Sequence, residues 1–286
     1  MLIIVGAVVV IVTVMGGYVG NGGEIGVLIQ PFEFLIILGA AAGGALIGNP
    51  RRVLGGMVKS FGVLMRGSKR NKAAYLELLS LHYSLFRLAK TKGDLALESH
   101  VEKPDESTLF QKFPAFNSDH HIRDFLCDYL RLLTLGTHNA HEVEAIIDEE
   151  IESHHHESLQ ISDAVTNVAD GLPALGIVAA VLGVIHTMGS ITEPPEVLGH
   201  LIGGALVGTF SGVLFAYGFV GPIGRGLAAI YDAETEYLKC IKSCLLAHMM
   251  GYAPQVSIEF GRKILSPHVR PSFREVEDSV SNLAPD

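Results

Sequence analysis

Side chains able to carry a proton or ligate an ion are scarce where this chain is most apolar. Glu33 stands at the start of one apolar run, His186 and Thr187 toward the end of another, and Thr209 and Ser211 deeper in the last. No Asp, Glu, Lys or Arg lies inside the runs Leu2–Val19, Phe34–Gly48, Leu172–Ile191 and Val197–Gly224. Passage of ions through lipid needs polar or titratable groups at depth. This chain cannot run a carboxylate proton relay alone, so a conducting role requires a titratable group from another subunit. Histidine is a common proton carrier, which makes His186 a candidate relay, although it is placed near the edge of its run. Thr187 and Tyr217 are further polar candidates.

Other constellations offer less. His154-His155-His156 follows Glu149, Glu150 and Glu152 and has the composition of a metal tract. Three consecutive histidines on a helix point in different directions, so a solvated run is expected. Cys240 and Cys244 are one helical turn apart and Cys127 is alone, which reads as reduced thiols. No nucleophile–base pair is apparent. The sequence therefore argues against an enzyme and calls for no metal or cofactor.

The elements that position these residues follow from charge. A membrane-spanning helix needs about 20 apolar residues. Three runs approach or exceed that length, and Phe32 and Asn49 extend the second. The first run lacks the basic start and small-x-small end of a signal peptide, so it reads as a span. All Lys and Arg lie in two blocks, Arg51 to Arg131 and from Arg225 onward. The positive-inside rule then puts the long central loop, the C-terminal tail and the N-terminus in the cytoplasm. The expected fold class is an all-α membrane protein with four transmembrane helices. A helical cytoplasmic domain lies between spans two and three, and a cytoplasmic tail follows span four. The divisions are 1–50, 51–170, 171–228 and 229–286. The formal charge of −9 argues against nucleic acid.

Within the central domain, Leu78, Leu79, His82, Leu85, Phe86 and Ala89 recur at helical spacing and Gly93 ends the pattern. A second face carries Ile122, Phe125, Leu126, Tyr129, Leu130 and Leu133. Asn139 and Glu142 form an N-cap and capping-box pair that opens a helix through Val143, Ile146, Ile147 and Glu150. After span four, Leu227, Tyr231, Leu238, Ile241 and Leu245 continue a helix toward Gly251. From Ser266 the tail is polar with two prolines and is expected to be loosely ordered. Pro173 is expected to open span three, where the first N–H groups are unpaired anyway. Pro222 is expected to kink the inner end of span four. The pairs Gly39/Gly43, Gly44/Gly48, Gly204/Gly208 and Gly208/Gly212 permit close helix approach, within the chain or between copies.

Several segments together resemble the MotA family of flagellar motor stator proteins. They include Gly16-Gly-Tyr18, Gln30-Pro31, Asp128-Tyr-Leu-Arg-Leu132, the stretch Glu144 to Glu152 and the stretch Leu172 to Ala180. Val207-Gly-Thr-Phe210, Ala216-Tyr-Gly-Phe219, Gly251-Tyr-Ala-Pro254, Glu259-Phe-Gly-Arg-Lys263 and Arg270-Pro-Ser-Phe273 complete the set. The resemblance implies an inner-membrane ring of five copies around two copies of MotB. MotB would supply a membrane aspartate and the peptidoglycan anchor. Proton passage would turn the ring, and the cytoplasmic domain would drive the rotor protein FliG.

The same resemblance assigns residues. Glu98 matches the family's rotor-facing glutamate. Lys90 stands where the family has an arginine, which keeps the charge and loses the planar fork. Glu150 is a further acidic residue of that face. Pro173 and Pro222 match the two coupling prolines, and Thr209 matches a threonine beside the ion path. Sodium-driven relatives carry a second threonine where this chain has Ala180. A methyl group offers sodium no oxygen, so protons are the expected ion. Two rivals stay open: an energy-transducing subunit like ExbB or TolQ, and a membrane scaffold that conducts nothing.

Overall fold

The computed structural model describes residues 2–137 and 139–283. Among them every regular element is helical. Four helical stretches are long and apolar enough to cross a membrane. In lipid a helix satisfies its own backbone N–H and C=O groups, which is why apolar runs of this length resolve into helices.

Packing divides the chain into two compact units, Met1–Gly67 with Glu157–Ile230, and Ser68–His156 with Tyr231–Asp286. These divisions differ from those read from hydropathy after residues 50, 170 and 228. The basic segment behind span two and residues 157–170 pack within the apolar unit.

In the first unit, α1 (Leu2–Gly20) buries no residue of its own. A short turn of helix, α2 (Ile25–Leu28), precedes α3 (Pro31–Gly48), which opens with proline at a position that needs no N–H. Then comes α4 (Arg51–Arg66), amphipathic and basic, with Val53, Ser60 and Leu64 buried. The unit also holds residues 157–230.

The second unit is built on α5 (Lys72–Lys92), capped by Asn71, whose side chain accepts from the Ala74 N–H. The core positions expected on α5 are all buried, His82 and Leu85 completely. Gly93 ends it at φ +86, a left-handed conformation that suits glycine. Short helices α6 (Glu98–Glu102), α7 (Thr108–Gln111) and α8 (Pro114–Asn117) lead to α9 (His120–Thr134). The expected face of α9 is buried throughout.

Beyond it, α10 (Ala140–Gly189) is one helix of 50 residues. Two expectations fail here. Ile146 is exposed, and the buried row is Val143, Ile147 and Ile151 at strict i, i+4 spacing. Pro173 lies inside α10 and does not open it. Nothing between Glu152 and Leu172 stops a helix, so the polar stretch runs straight into the apolar one. Having no N–H, Pro173 leaves the Ala169 carbonyl without its helical donor. Glu142 does meet Asn139, but through side chains, Asn139 Nδ2 to Glu142 Oε1 at 2.7 Å.

The fourth apolar run comprises α11 (Pro195–Val213), a π-helical segment (Leu214–Val220) and α12 (Gly221–Met249). Only Gly221 separates Pro222 from the π segment. A proline ring clashes with the carbonyl four residues back, and the wider π turn relieves that clash. The Gly221 N–H accordingly reaches the Ala216 carbonyl, five residues back. The expected kink is a π segment.

The tail is also corrected. After α13 (Pro254–Ile264) comes α14 (Phe273–Ser281), which opens with a complete capping box between Ser272 and Glu275. Val276 and Val280 are buried in the core of the second unit, and Lys72 pairs with Glu275 at 2.7 Å. Arg262 donates to the Pro271 carbonyl at 3.0 Å. The segment is ordered because two valines at i, i+4 offset its polar composition.

One ion pair anchors this unit. Arg70 has a side chain 6% exposed and lies 2.6 Å from Asp119, with its guanidinium 4.4 Å from the Tyr237 ring centroid. Burial alone would raise the Asp119 pKa, but the Arg70 hydrogen bond and charge outweigh it and hold it low. Asp119 also caps α9. Asp119→Ala is expected to cost about 3 kcal/mol, since it strands a buried cation and removes a cap. The depressed pKa adds stability above the ordinary value of 3.8, and that stability is lost as pH falls through the lower folded value. Thermal melts from pH 7 to pH 3 should show a steeper acid loss for the parent than for the variant. Parallel curves would remove Asp119 from this role.

Candidate functional site

Three candidates of the membrane unit, of which Thr209 alone is polar, fall along one antiparallel crossing. There α10 lies against α11, the π segment and α12. Its contacts pair Gly183 with Ala205, Ala179 with Gly208, Gly176 with Gly212, Ala169 with Gly221 and Thr166 with Gly224. The spacing is close because it is made by backbone. A Cβ added at Gly212 would lie 2.6 Å from the Leu172 carbonyl oxygen and 2.9 Å from the Gly176 Cα. One at Gly176 would lie 2.7 Å from the Gly208 oxygen. Small residues let helices approach this closely in lipid.

The glycines of α3 behave differently. Gly39, Gly43, Gly44 and Gly48 face open space within the chain. The two readings of the glycine pairs therefore divide between helices. Gly208 and Gly212 serve packing inside the chain, and Gly204 packs on Gln30. Those of α3 are left without an intramolecular neighbour. Gly176 and Gly183 were missed in the sequence because they are seven residues apart, two helical turns, and no G-x-x-x-G pattern marks them.

Three of the sequence candidates fall on this crossing. Pro173 precedes Gly176 by less than one turn of α10. The Ala180 nitrogen is 3.1 Å from a Cβ at Gly208, and the Thr209 Cα is 3.3 Å from a Cβ at Gly176. Ala180 and Thr209 are both half-buried. Thr209 thus brings a polar side chain to a crossing that otherwise holds methyl groups, backbone and, at Gly224, the Thr166 hydroxyl. Pro222 lies beyond the π segment, in the first turn of α12.

The remaining candidates lie apart. Thr187 is buried and its hydroxyl donates to the Gly183 carbonyl at 2.9 Å, so its own helix already engages it. His186 is exposed on the outer part of α10. Tyr217 is exposed on the π segment.

In the second unit, Lys90, Glu98 and Glu150 are all exposed. Lys90 sits on the last turn of α5, and its Nζ is 3.4 Å from the Gly251 carbonyl oxygen. Glu98 opens α6, with Gly93 and a 3₁₀ turn (Asp94–Leu97) between the two charges. Behind Lys90, His248 stacks on Phe86 at 4.3 Å and approaches Asp94 at 3.9 Å. Burial lowers the His248 pKa, Asp94 opposes that, and Lys90 adds to it. His82, fully buried below, is pushed down to about 4 by burial. Burial thus disfavours charge on both rings, and the positive groups on the last turn of α5 are Lys90 and Lys92. Glu150 accepts a hydrogen bond from the Tyr129 hydroxyl. Burial, and then that bond, raise the Tyr129 pKa.

The histidine tract is not simply solvated. His154 stacks on His121 at 4.5 Å, His155 meets the Thr235 hydroxyl at 2.8 Å, and His156 is exposed. The three rings diverge, and among the described residues no group of three His, Cys, Asp or Glu side chains is placed to hold a metal ion.

Known proteins share this sequence and this arrangement. A family model described as motility protein A N-terminal matches residues 4–93. A second, the MotA/TolQ/ExbB proton channel family, matches residues 117–239. The chain is 44% identical to motility protein A of Salmonella typhimurium over 280 residues, covering 98% of this chain and 95% of that one. It is 35% identical to chemotaxis protein LafT of Vibrio parahaemolyticus over 272 residues, with 95% of each covered. Its fold matches the C. jejuni MotAB structure with a TM-score of 0.78 at 22% identity, covering 93% of this chain and 95% of that chain. It matches the flagellar MotAB stator complex of Bacillus subtilis with a TM-score of 0.73 at 25% identity, covering 90% and 92%.

Proposed function

The chain belongs to the motility protein A (MotA) family, and from that membership we propose that it is a stator subunit of the bacterial flagellar motor. It assembles with MotB in the inner membrane and converts proton flow into torque on the rotor protein FliG. The likeness to motility protein A along 98% of the chain carries this reading. The family model over residues 117–239 also takes in TolQ and ExbB, but the likeness to motility protein A along nearly the whole chain favours the stator reading over an ExbB- or TolQ-like role or a non-conducting scaffold.

The absence of Asp, Glu, Lys and Arg inside the apolar runs fits a channel whose titratable group comes from MotB. Five copies around two MotB chains would supply the ring. The basic block from Arg51 onward and the tail from Arg225 would lie in the cytoplasm, together with both termini. Pro173 and Pro222 would couple proton passage to helix movement. Each removes a backbone hydrogen bond along the glycine crossing, Pro173 close to Gly176 and Pro222 next to Gly221, where α10 and the π segment can adjust. Thr209 would stand beside the path. One charge crossing 100 mV releases about 2.3 kcal/mol, and each proton passing would supply energy of that order for torque.

Deleting the gene in its host tests the reading. Cells with normal filaments that do not rotate are the expected result. Cells lacking filaments, or swimming normally, would overturn it.

Rotor contact is assigned to Lys90 and Glu98, with Glu150 in support. An exposed charge pair contributes roughly 0–1 kcal/mol, so Lys90→Ala alone should slow swimming only partly. Lys90→Glu combined with Glu98→Lys should reduce swimming several-fold while membrane insertion and MotB capture persist. A compensating charge reversal on FliG should restore part of it. Parental swimming by the double variant would remove both residues from the rotor contact.

A further inference from the structure

Helix α4 has three faces, and only one is occupied by the protein. Advancing about 100° per residue, Val53, Ser60 and Leu64 fall together and are buried. Gly56 on the edge of this face packs on Ile161, and Leu64 lies against Gly226. Next around the helix come Leu54, Val58, Phe61 and Met65. Val58 is 79% exposed and Phe61 59%. Beyond them lie Arg51, Arg52, Lys59 and Arg66, all exposed. The helix contains no acidic residue. Arg52 is held by Glu157 and Gln160. Among the described residues no ion pair engages Arg51, Lys59 or Arg66.

We propose that this face of α4 is a binding surface for anionic phospholipid headgroups. An exposed apolar stripe beside an exposed cationic stripe is the arrangement a helix needs at the boundary between acyl chains and phosphates. The covalent path puts α4 at that depth. Only Asn49 and Pro50 separate Arg51 from Gly48, the last residue of a membrane-spanning helix. Packing agrees, since α4 belongs wholly to the apolar unit. In the bilayer, Phe61, Val58 and Met65 would enter the acyl region while Arg51, Lys59 and Arg66 meet lipid phosphates. The charge sign selects the lipid: three unpaired cations and no carboxylate favour an anionic headgroup over a zwitterionic one. The surface would fix the inner end of α3 at the membrane plane.

The chain has no tryptophan, so Phe61→Trp introduces a unique probe. The full-length variant, purified in the complex it forms in cells, is placed in nanodiscs. Their acyl chains are brominated on either phosphatidylglycerol or phosphatidylcholine, at equal mole fraction. The parent complex gives the background. Bromine should quench the probe, and about fivefold local enrichment should favour the glycerol lipid, the ratio for one cation at about 1 kcal/mol. Adding Arg51→Gln, Lys59→Gln and Arg66→Gln should abolish that preference while quenching by the choline lipid persists. Absence of quenching would overturn the proposal, and would mean that a second copy of the chain or water covers the face. Equal quenching by both lipids, or a preference that survives the triple substitution, would overturn it as well.

Discussion

Gly212→Ala should abolish swimming while leaving the core of the second unit folded. The added methyl group would sit 2.6 Å from the Leu172 carbonyl oxygen and 2.9 Å from the Gly176 Cα. Both are backbone atoms, so no rotamer change relieves the contact and the two helices must separate. Overpacking of this kind costs about 1–3 kcal/mol, and the separation falls between Pro173 and Thr209. Gly176→Ala should behave alike, its methyl group 2.7 Å from the Gly208 oxygen. Gly208→Ala should be milder, because the nearest atom, at 3.0 Å, is the Ala179 Cβ. Gly43→Ala meets nothing within 4 Å in the chain, so any loss there reports a neighbouring copy. Swim-ring diameter, membrane protein level and melting temperature in detergent would rank the four. Parental swimming by Gly212→Ala would show that the crossing does not need this closeness.

Protonophore treatment should stop rotation driven by this chain, and replacing sodium with potassium should leave its speed unchanged. Ala180, half-buried at the crossing beside Gly208, carries the proposal of protons, as the counterpart of the threonine that the resemblance implies for sodium-driven relatives. Its methyl group offers no ligand to a cation that needs several oxygens. Tethered-cell rotation, measured across external sodium at constant proton-motive force, decides the matter. A speed that rises with sodium would assign the cation differently.

The cores of α5 and α9 were legible from their periodicity, because a soluble helix must bury one apolar stripe. The four spans were legible from the absence of charge. The tail was misjudged for a physical reason. Val276 and Val280 are too few to stand out in composition, yet two valines, a capping box and the Arg262 bond to Pro271 suffice to dock α14. Ile146 was misplaced because a helix with apolar residues at 143, 146, 147 and 151 offers two faces, and the neighbours choose between them.

Charge and hydropathy along the chain determined how many times it can cross a membrane and where its basic segments fall. They also determined that the apolar runs of its spans hold no carboxylate. These are properties of the chain one residue at a time, and lipid responds to them directly. Tertiary structure decided which glycines touch, since Gly176 meets Gly212 across helices whose register is set by packing. It decided that Pro173 sits inside a continuous helix and that Pro222 is accommodated by a π segment, because a proline's effect depends on what the chain before it can adopt. It placed Ala180 and Thr209 on one crossing, although 28 positions separate them along the chain. Sequence spacing reports neighbours within a helix, and only the folded chain brings two helices close enough for those residues to share a path.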